Sequence, residues 1–190
     1  MAFISVREYE VKVRIEDLEA VERRLSECGW VLEDAVLEED RYVDLTHCVG
    51  SPARQVALRI RVRRSLTREA VSSELTFKGR VIVEGVKARE ELTTVLNDPE
   101  AVTRMFVLAG FPVIMISKKR KVYTNKDFSA KIYLDEVESL GNFIEVELIN
   151  PTSRDEYLST LDRIKESLGL SSEENIVKSY LELRMEGWKS

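Results

Sequence analysis

The sequence predicts an α+β fold in which an antiparallel sheet closes on itself and carries its helices on the outside. Three observations lead there: four amphipathic segments with clear start and stop residues, short alternating strands between them, and a weak internal repeat. The chain has 190 residues with 44% hydrophobic content. That is enough for one core and too much for a disordered chain, so a single domain over 1–190 is expected, built from two halves of about 1–96 and 97–190.

Along the chain, Glu8-Tyr9-Glu10-Val11-Lys12-Val13 alternates strictly, with Glu8, Glu10 and Lys12 on one face and the apolar residues on the other. Asp17 to Cys28 follows as a helix with Leu18, Val21, Leu25 and Cys28 on one side and Gly29 as its stop. Leu58-Arg59-Ile60-Arg61-Val62 alternates with guanidiniums, and Leu75-Thr76-Phe77-Lys78 sets Lys78 opposite its apolar side. Asp98-Pro99 opens a second helix with a cap residue and a first-turn proline, and Gly110 closes it. Ile116-Ser117-Lys118-Lys119-Arg120 brings Lys118 and Arg120 to one face, and Ile144-Glu145-Val146-Glu147-Leu148 repeats the acidic pattern of the first strand. Ser153 with Glu156 forms a capping-box signature for a third helix that stops at Gly169, and Glu173 to Met185 is expected to be a fourth.

The repeat joins the halves. Cys28-Gly29-Trp30 and Tyr42 recur 81 residues later as Ala109-Gly110-Phe111 and Tyr123, each Tyr followed by paired strand-like segments. A meander duplicated in this way can close and lose its exposed edges.

For any single strand, a half-buried sheet with its charged side in water explains the pattern. Two features argue otherwise for the set. Acids sit on the first and last strands and bases on the middle ones, whereas a merely soluble surface mixes the signs. The four helices also need the greasy faces as cover, which leaves the ionic faces pointing together. Such a cluster is costly to desolvate unless it pairs or holds a ligand. Arg and Lys suit phosphate oxygens, and paired carboxylates suit Mg²⁺ or Mn²⁺, so the residues ask for a metal-bound triphosphate.

Other chemistries find little support. Cys28, Cys48 and the single His47 cannot make a four-ligand zinc site or a disulfide framework, and the adjacent His47 and Cys48 point to opposite faces of an extended chain. A net charge of −5 argues against general nucleic-acid binding. The apolar stretch from Phe106 to Ile116 falls short of the roughly 20 residues of a membrane span, and MAFISVREYE lacks the pattern of a signal peptide. A cytoplasmic protein is expected. Tyr9, Trp30, Phe106, Phe111 and Cys28 read as core residues, and Glu19, Glu22, Arg23 and Arg24 as an exposed helix face.

Glu8-x-Glu10-x-Lys12 resembles the ExExK signature of the CYTH superfamily, the triphosphate tunnel metalloenzymes. The similarity extends in order through Asp40-Arg41-Tyr42-Val43-Asp44, Leu58-Arg59-Ile60-Arg61, Leu75-Thr76-Phe77-Lys78-Gly79, Arg89-Glu90-Glu91, Lys118-x-Arg120-x-x-Tyr123 and Asp135-x-Val137-x-x-Leu140-Gly141-x-Phe143-x-Glu145-x-Glu147. The resemblance implies a closed eight-stranded antiparallel β-barrel forming a tunnel, usually in a homodimer, that acts on triphosphate-containing small molecules with Mg²⁺ or Mn²⁺. It implies Glu8, Glu10, Asp135, Glu145 and Glu147 as metal ligands. It implies Lys12, Arg59, Arg61, Lys78, Arg89, Lys118 and Arg120 along the phosphate path, with Glu10, Lys12, Lys118 and Arg120 as the catalytic group.

The stretch from Leu140 to Phe143 looks most like the class IV adenylate cyclase branch, so ATP cyclisation to cyclic AMP and pyrophosphate is the first expectation. Hydrolysis of thiamine triphosphate, tripolyphosphate or a nucleoside triphosphate is the alternative, and a non-catalytic polyphosphate-binding module the third. Two departures bear on that choice: Thr93 stands where many relatives carry a further carboxylate, and Arg41-Tyr42 where some cyclases have His-Phe.

Overall fold

The structure is a computed structural model that describes residues 9–45, 56–83, 88–148 and 153–187. Its elements run β1 (Tyr9–Ile15), α1 (Leu18–Glu27), β2 (Val31–Val43), β3 (Ala57–Ser65), β4 (Val71–Val83), β5 (Ala88–Val95), α2 (Pro99–Leu108), β6 (Val113–Asn125), β7 (Phe128–Val137), β8 (Gly141–Leu148), α3 (Arg154–Leu168) and α4 (Tyr180–Met185). Glu8, His47 and Cys48 lie outside the described residues.

One eight-stranded antiparallel sheet has the order β1-β8-β7-β6-β2-β3-β4-β5. That order is internally symmetric. A β-α-β-β-β run from β1 to β4 recurs from β5 to β8, and exchanging the two runs reverses the strand order onto itself. The helix caps keep the same spacing: Asp17 accepts from the Ala20 amide and Asp98 from the Ala101 amide, 81 residues on.

The expected closed barrel is not confirmed, because no ladder joins β1 to β5 among the described residues. The outer edge of β1 is engaged otherwise. Lys12 and Ile176 exchange backbone hydrogen bonds of 3.0 and 2.7 Å, so the segment after α3 occupies the edge at that residue. The sheet is nonetheless strongly curled, since Glu10 and Lys12 on one edge strand and Glu91 and Thr93 on the other line a single cavity.

Two apolar layers set the curvature. Val11, Val13 and Ile15 of β1, with Ile132, Leu134, Ile144 and Val146 of β7 and β8, form the convex side beneath Val21 and Leu25 of α1 and Tyr157, Leu161 and Ile164 of α3. On the concave side a second cluster of Tyr42, Ile116, Val137, Leu140, Phe143, Tyr180 and Leu183 includes two residues of α4. Trp30 is core as expected, stacked on Phe128 with centroids 5.6 Å apart.

One further sequence expectation needs correction. The fourth helix is only Tyr180–Met185, capped by a Ser179–Glu182 capping box, because the preceding residues are drawn into the bridge with β1. The polar face of α1 is exposed at Glu19, Arg23 and Arg24 as expected, and it also makes contacts: Glu22 accepts from Lys121 Nζ and Tyr123 Oη, both at 2.6 Å, and Arg24 donates to the Leu168 carbonyl at 2.8 Å. No helix among the described residues is long and apolar enough to cross a membrane.

Candidate active site

Strand alternation sends every second side chain into the hollow of the sheet. On β1 these are Glu10 and Lys12, on β3 Arg59, Arg61 and Arg63, on β6 Lys118 and Arg120, and on β8 Glu145 and Glu147. They line a cavity of about 290 Å³ together with Tyr42, Glu74, Lys78, Glu91, Tyr133 and Tyr180. Lys12, Arg59, Arg61, Lys78, Lys118 and Arg120, all expected on the phosphate path, are thus brought together and buried. Arg89 is placed on β5 by its backbone, and its side chain lies outside the described part of the structure.

The cations are held by an ordered set of carboxylates. Arg61 makes two hydrogen bonds to Asp40, at 2.6 and 2.8 Å, and Lys118 lies 2.9 Å from Glu38 and 3.3 Å from Asp40. Arg120 makes a matching pair to Asp135, at 2.7 and 2.5 Å, and reaches Glu145 at 3.1 Å. Lys12 bridges Glu10 at 3.2 Å and Glu145 at 3.0 Å. Lys78 pairs with Glu91 across β4 and β5. Arg59 Nε is buried without a hydrogen-bond partner among the described residues, 4.0 Å from Asp40 Oδ1.

Burial alone would neutralise such groups, and the pairing outweighs it. Burial pushes the Asp40 carboxyl up, yet Arg61, Lys118 and Arg59 hold it well below the usual range. Against the same push, Lys118, Arg61 and Arg120 hold Glu38 down, and Lys12 and Arg120 hold Glu145 down. Burial would lower Lys12, but Glu10 and Glu145 raise it. Glu147 moves the other way: burial raises it, and Glu145 and Glu10 add to the rise while a 2.6 Å hydrogen bond from Tyr133 Oη opposes it.

The metal expectation meets a mixed donor set. Among the described residues no three His, Cys, Asp or Glu side chains are already gathered as a metal-binding group. Glu10 and Glu147 are nevertheless direct cross-strand partners, and Glu145 faces the same cavity. Like charges opposed on adjacent strands are unfavourable unless a cation is shared. Oxygen donors in that arrangement fit Mg²⁺ or Mn²⁺. Asp135 stands apart from them: it is fully buried, with its oxygens taken by Arg120 and by the Tyr180 hydroxyl at 2.7 Å.

Sequence reasoning gave no role to three residues that matter here. Glu38 was hidden in the run Glu38-Glu39-Asp40, where consecutive acids do not reveal which faces inward. Tyr133 lies under the Arg120 guanidinium, 4.2 Å from its ring centre. Tyr180 sits within 5.2 Å of Lys12 Nζ and 5.4 Å of Lys118 Nζ, and only the fold of α4 brings it there.

Comparison with known proteins gives the family. The CYTH domain profile matches residues 6–180. The chain belongs to the CYTH family. A CYTH relative from Methanocaldococcus jannaschii, provisionally named an adenylate cyclase, is 32% identical over 180 residues, covering 93% of this chain and 98% of its own. The PH1819 protein of Pyrococcus horikoshii superposes with a TM-score of 0.76 at 28% identity, covering 95% of this chain and 99% of its own. The Hippeastrum protein HpAC1, described as an adenylyl cyclase candidate with a dominant triphosphatase activity, shares the fold at a TM-score of 0.68. It is 20% identical, with 95% of this chain and 96% of its own covered.

Proposed function

We propose that this CYTH protein is a metal-dependent enzyme acting on the phosphate chain of a triphosphate, and that hydrolysis is the reaction its geometry supports best. The observation that carries this reading is a cavity of about 290 Å³ whose wall is almost wholly ionisable, with six buried cations. Two of its three rings, Tyr133 and Tyr180, lie against Arg120 and against Lys12 and Lys118, so most of the wall presents charge for phosphate.

In this reading Arg59, Arg61, Lys78, Lys118 and Arg120 take the phosphate oxygens. The guanidiniums can grip with two bonds each, which fixes the chain against attack at one phosphorus. Lys118 and Arg120, immobilised by the carboxylates behind them, neutralise charge as it builds on the departing group. Glu10, Glu145 and Glu147 would hold Mg²⁺ or Mn²⁺, which when bound supplies charge neutralisation and a more acidic water. Asp135 serves to aim Arg120. Closure of the curled sheet into a tunnel belongs to the same reading, as does a homodimer. α2 has no buried residue and leaves Met105, Val107 and Leu108 bare, which a second copy would cover.

Cyclisation of ATP is the second reading, favoured by the name of the Methanocaldococcus jannaschii relative. Purified protein incubated with tripolyphosphate, thiamine triphosphate, ATP and GTP, each with Mg²⁺ or Mn²⁺, separates the two. Phosphate release without cyclic product supports hydrolysis; cyclic AMP above a Glu10→Ala control replaces it with cyclisation. Tight metal-independent binding with no turnover on any substrate would reject both in favour of a binding module.

A further inference from the structure

β6 presents Lys118 and Arg120 to the cavity between two sets of carboxylates. One set, Glu38 and Asp40 on β2, has so far served only to hold Lys118 and Arg61 in place. Both are almost without exposure, at 2% and 1%, and lie behind the cations, outside the cavity wall. Glu38 lies 2.9 Å from Lys118, 3.3 Å from Arg61 and 2.5 Å from Arg63. Asp40 holds Arg61 with two bonds and Lys118 at 3.3 Å. Two cations of the phosphate path, Arg61 and Lys118, and the cavity-lining Arg63 therefore share negative charge set behind the cavity wall.

The two oxygens of Glu38 are engaged differently, and Oε1 accepts a hydrogen bond from Arg63 Nε at 2.7 Å. Glu38 Oε2 makes no hydrogen bond although Lys118 and Arg61 lie close to it, so it holds them by charge more than by direction. Asp40 holds both of these cations through hydrogen bonds, so Glu38 adds charge to a geometry that Asp40 sets.

We propose that Glu38 and Asp40 are built-in counter-anions: positioning residues that stand in for phosphate charge while the cavity is empty and limit how tightly it grips polyphosphate. This rests on reading the cavity as a triphosphate site. Without them Arg61, Arg63 and Lys118 would repel one another in the empty protein. With them, part of the attraction a phosphate chain would feel is already cancelled, which lets the product leave.

The inference fixes two signs. Glu38→Gln keeps the shape and removes the charge, so the empty protein loses stability while its affinity for a polyanion rises. A carboxylate that merely propped its strand would lower both together. The test is calorimetric binding of inorganic tripolyphosphate to the full chain in EDTA, with thermal unfolding of the same samples. Glu38→Gln is expected to bind about tenfold more tightly than the unaltered protein. Its unfolding midpoint without ligand falls and recovers at saturating tripolyphosphate, and Glu38→Asp returns both quantities towards their starting values.

Equal or weaker binding by Glu38→Gln overturns the proposal. If that variant does not fold, Asp40→Asn carries the same comparison, and equal or weaker binding by it is equally decisive. Failure of the unaltered, folded protein to bind tripolyphosphate rejects the triphosphate reading itself, and the inference with it. The two failures are thus separately visible.

Discussion

The Tyr180 hydroxyl donates to Asp135 Oδ2 at 2.7 Å, and that bond ties the last helix to the cluster beneath the cavity. Asp135 in turn holds Arg120 with two bonds, so the C-terminal helix acts on a phosphate-binding guanidinium through a single carboxylate. Tyr180→Phe removes only the hydroxyl and leaves the ring beside Lys12 and Lys118. The expected cost is about 1 kcal/mol of stability, with a higher KM for the triphosphate and little change in kcat. Tyr180→Ala also empties part of the apolar cluster with Phe143 and Leu183, at about 3 kcal/mol or more. Chemical denaturation beside steady-state kinetics checks both; a Phe variant that loses as much as the Ala variant would mean that the bond, not the ring, carries the effect.

The backbone bridge between Lys12 and Ile176 gives a second handle on the same segment. Ile176→Pro removes the amide that donates to the Lys12 carbonyl at 2.7 Å. A loss of about 1–3 kcal/mol is expected, together with faster hydrogen exchange at the Lys12 amide, which now donates to Ile176 at 3.0 Å. Unchanged protection at Lys12 would show that the C-terminal segment does not guard this edge.

Much of this was legible in the chain. The strict alternation around Lys12, Arg59, Lys118 and Glu145 assigned inward faces correctly, because a one-residue error would have put the charges into the convex core. Asp17, Asp98 and Ser153 marked helix starts, because a cap acts through its own neighbours. What stayed hidden depends on contacts far apart in sequence. The periodicity of residues 173–185 suits a helix, but the strand edge at Lys12 competes for the Ile176 backbone and wins. The same competition bears on closure, which alternation cannot foresee since it specifies faces and not edge partners. Asp135 matched a metal-ligand pattern, yet only the fold reveals that Arg120 and Tyr180 claim its oxygens.

Acid should weaken the fold in a definite window. Glu38, Asp40 and Glu145 are driven up by burial but held down by Lys118, Arg61, Lys12 and Arg120, below ordinary values of 4.5, 3.8 and 4.5. A carboxyl depressed in the folded state stabilises fully above its unfolded pKa, and that stabilisation drains away as pH falls through the folded value. Glu147 has the opposite sign: burial raises it, so its contribution is present at low pH and lost as pH rises through its raised value. Three depressed groups outweigh one raised group, so the unfolding midpoint should fall steadily below pH 4.5. The gap between the unaltered protein and Glu38→Gln should narrow over the same range. A flat midpoint from pH 7 to pH 3 would mean that the paired acids contribute no net stability.

Asp135 and Glu147 were both expected among the metal ligands, and the structure gives them different surroundings that activity can distinguish. Asp135 is fully buried behind Arg120, whereas Glu147 lines the cavity opposite Glu10. Asp135→Asn keeps the volume but weakens two charge-assisted bonds to Arg120, which misplaces a phosphate-binding group. KM for the triphosphate should rise at least about tenfold, while the Mg²⁺ or Mn²⁺ concentration giving half-maximal rate stays where it was. Glu147→Gln should do the reverse, shifting the metal requirement upward by about tenfold or more and leaving metal-free anion binding intact, since Tyr133 can still donate to the amide oxygen. Metal titrations of both variants at saturating substrate decide the matter. A shifted metal requirement in Asp135→Asn would return that residue to the metal site, and with it the arrangement in which Arg120 must find another anchor.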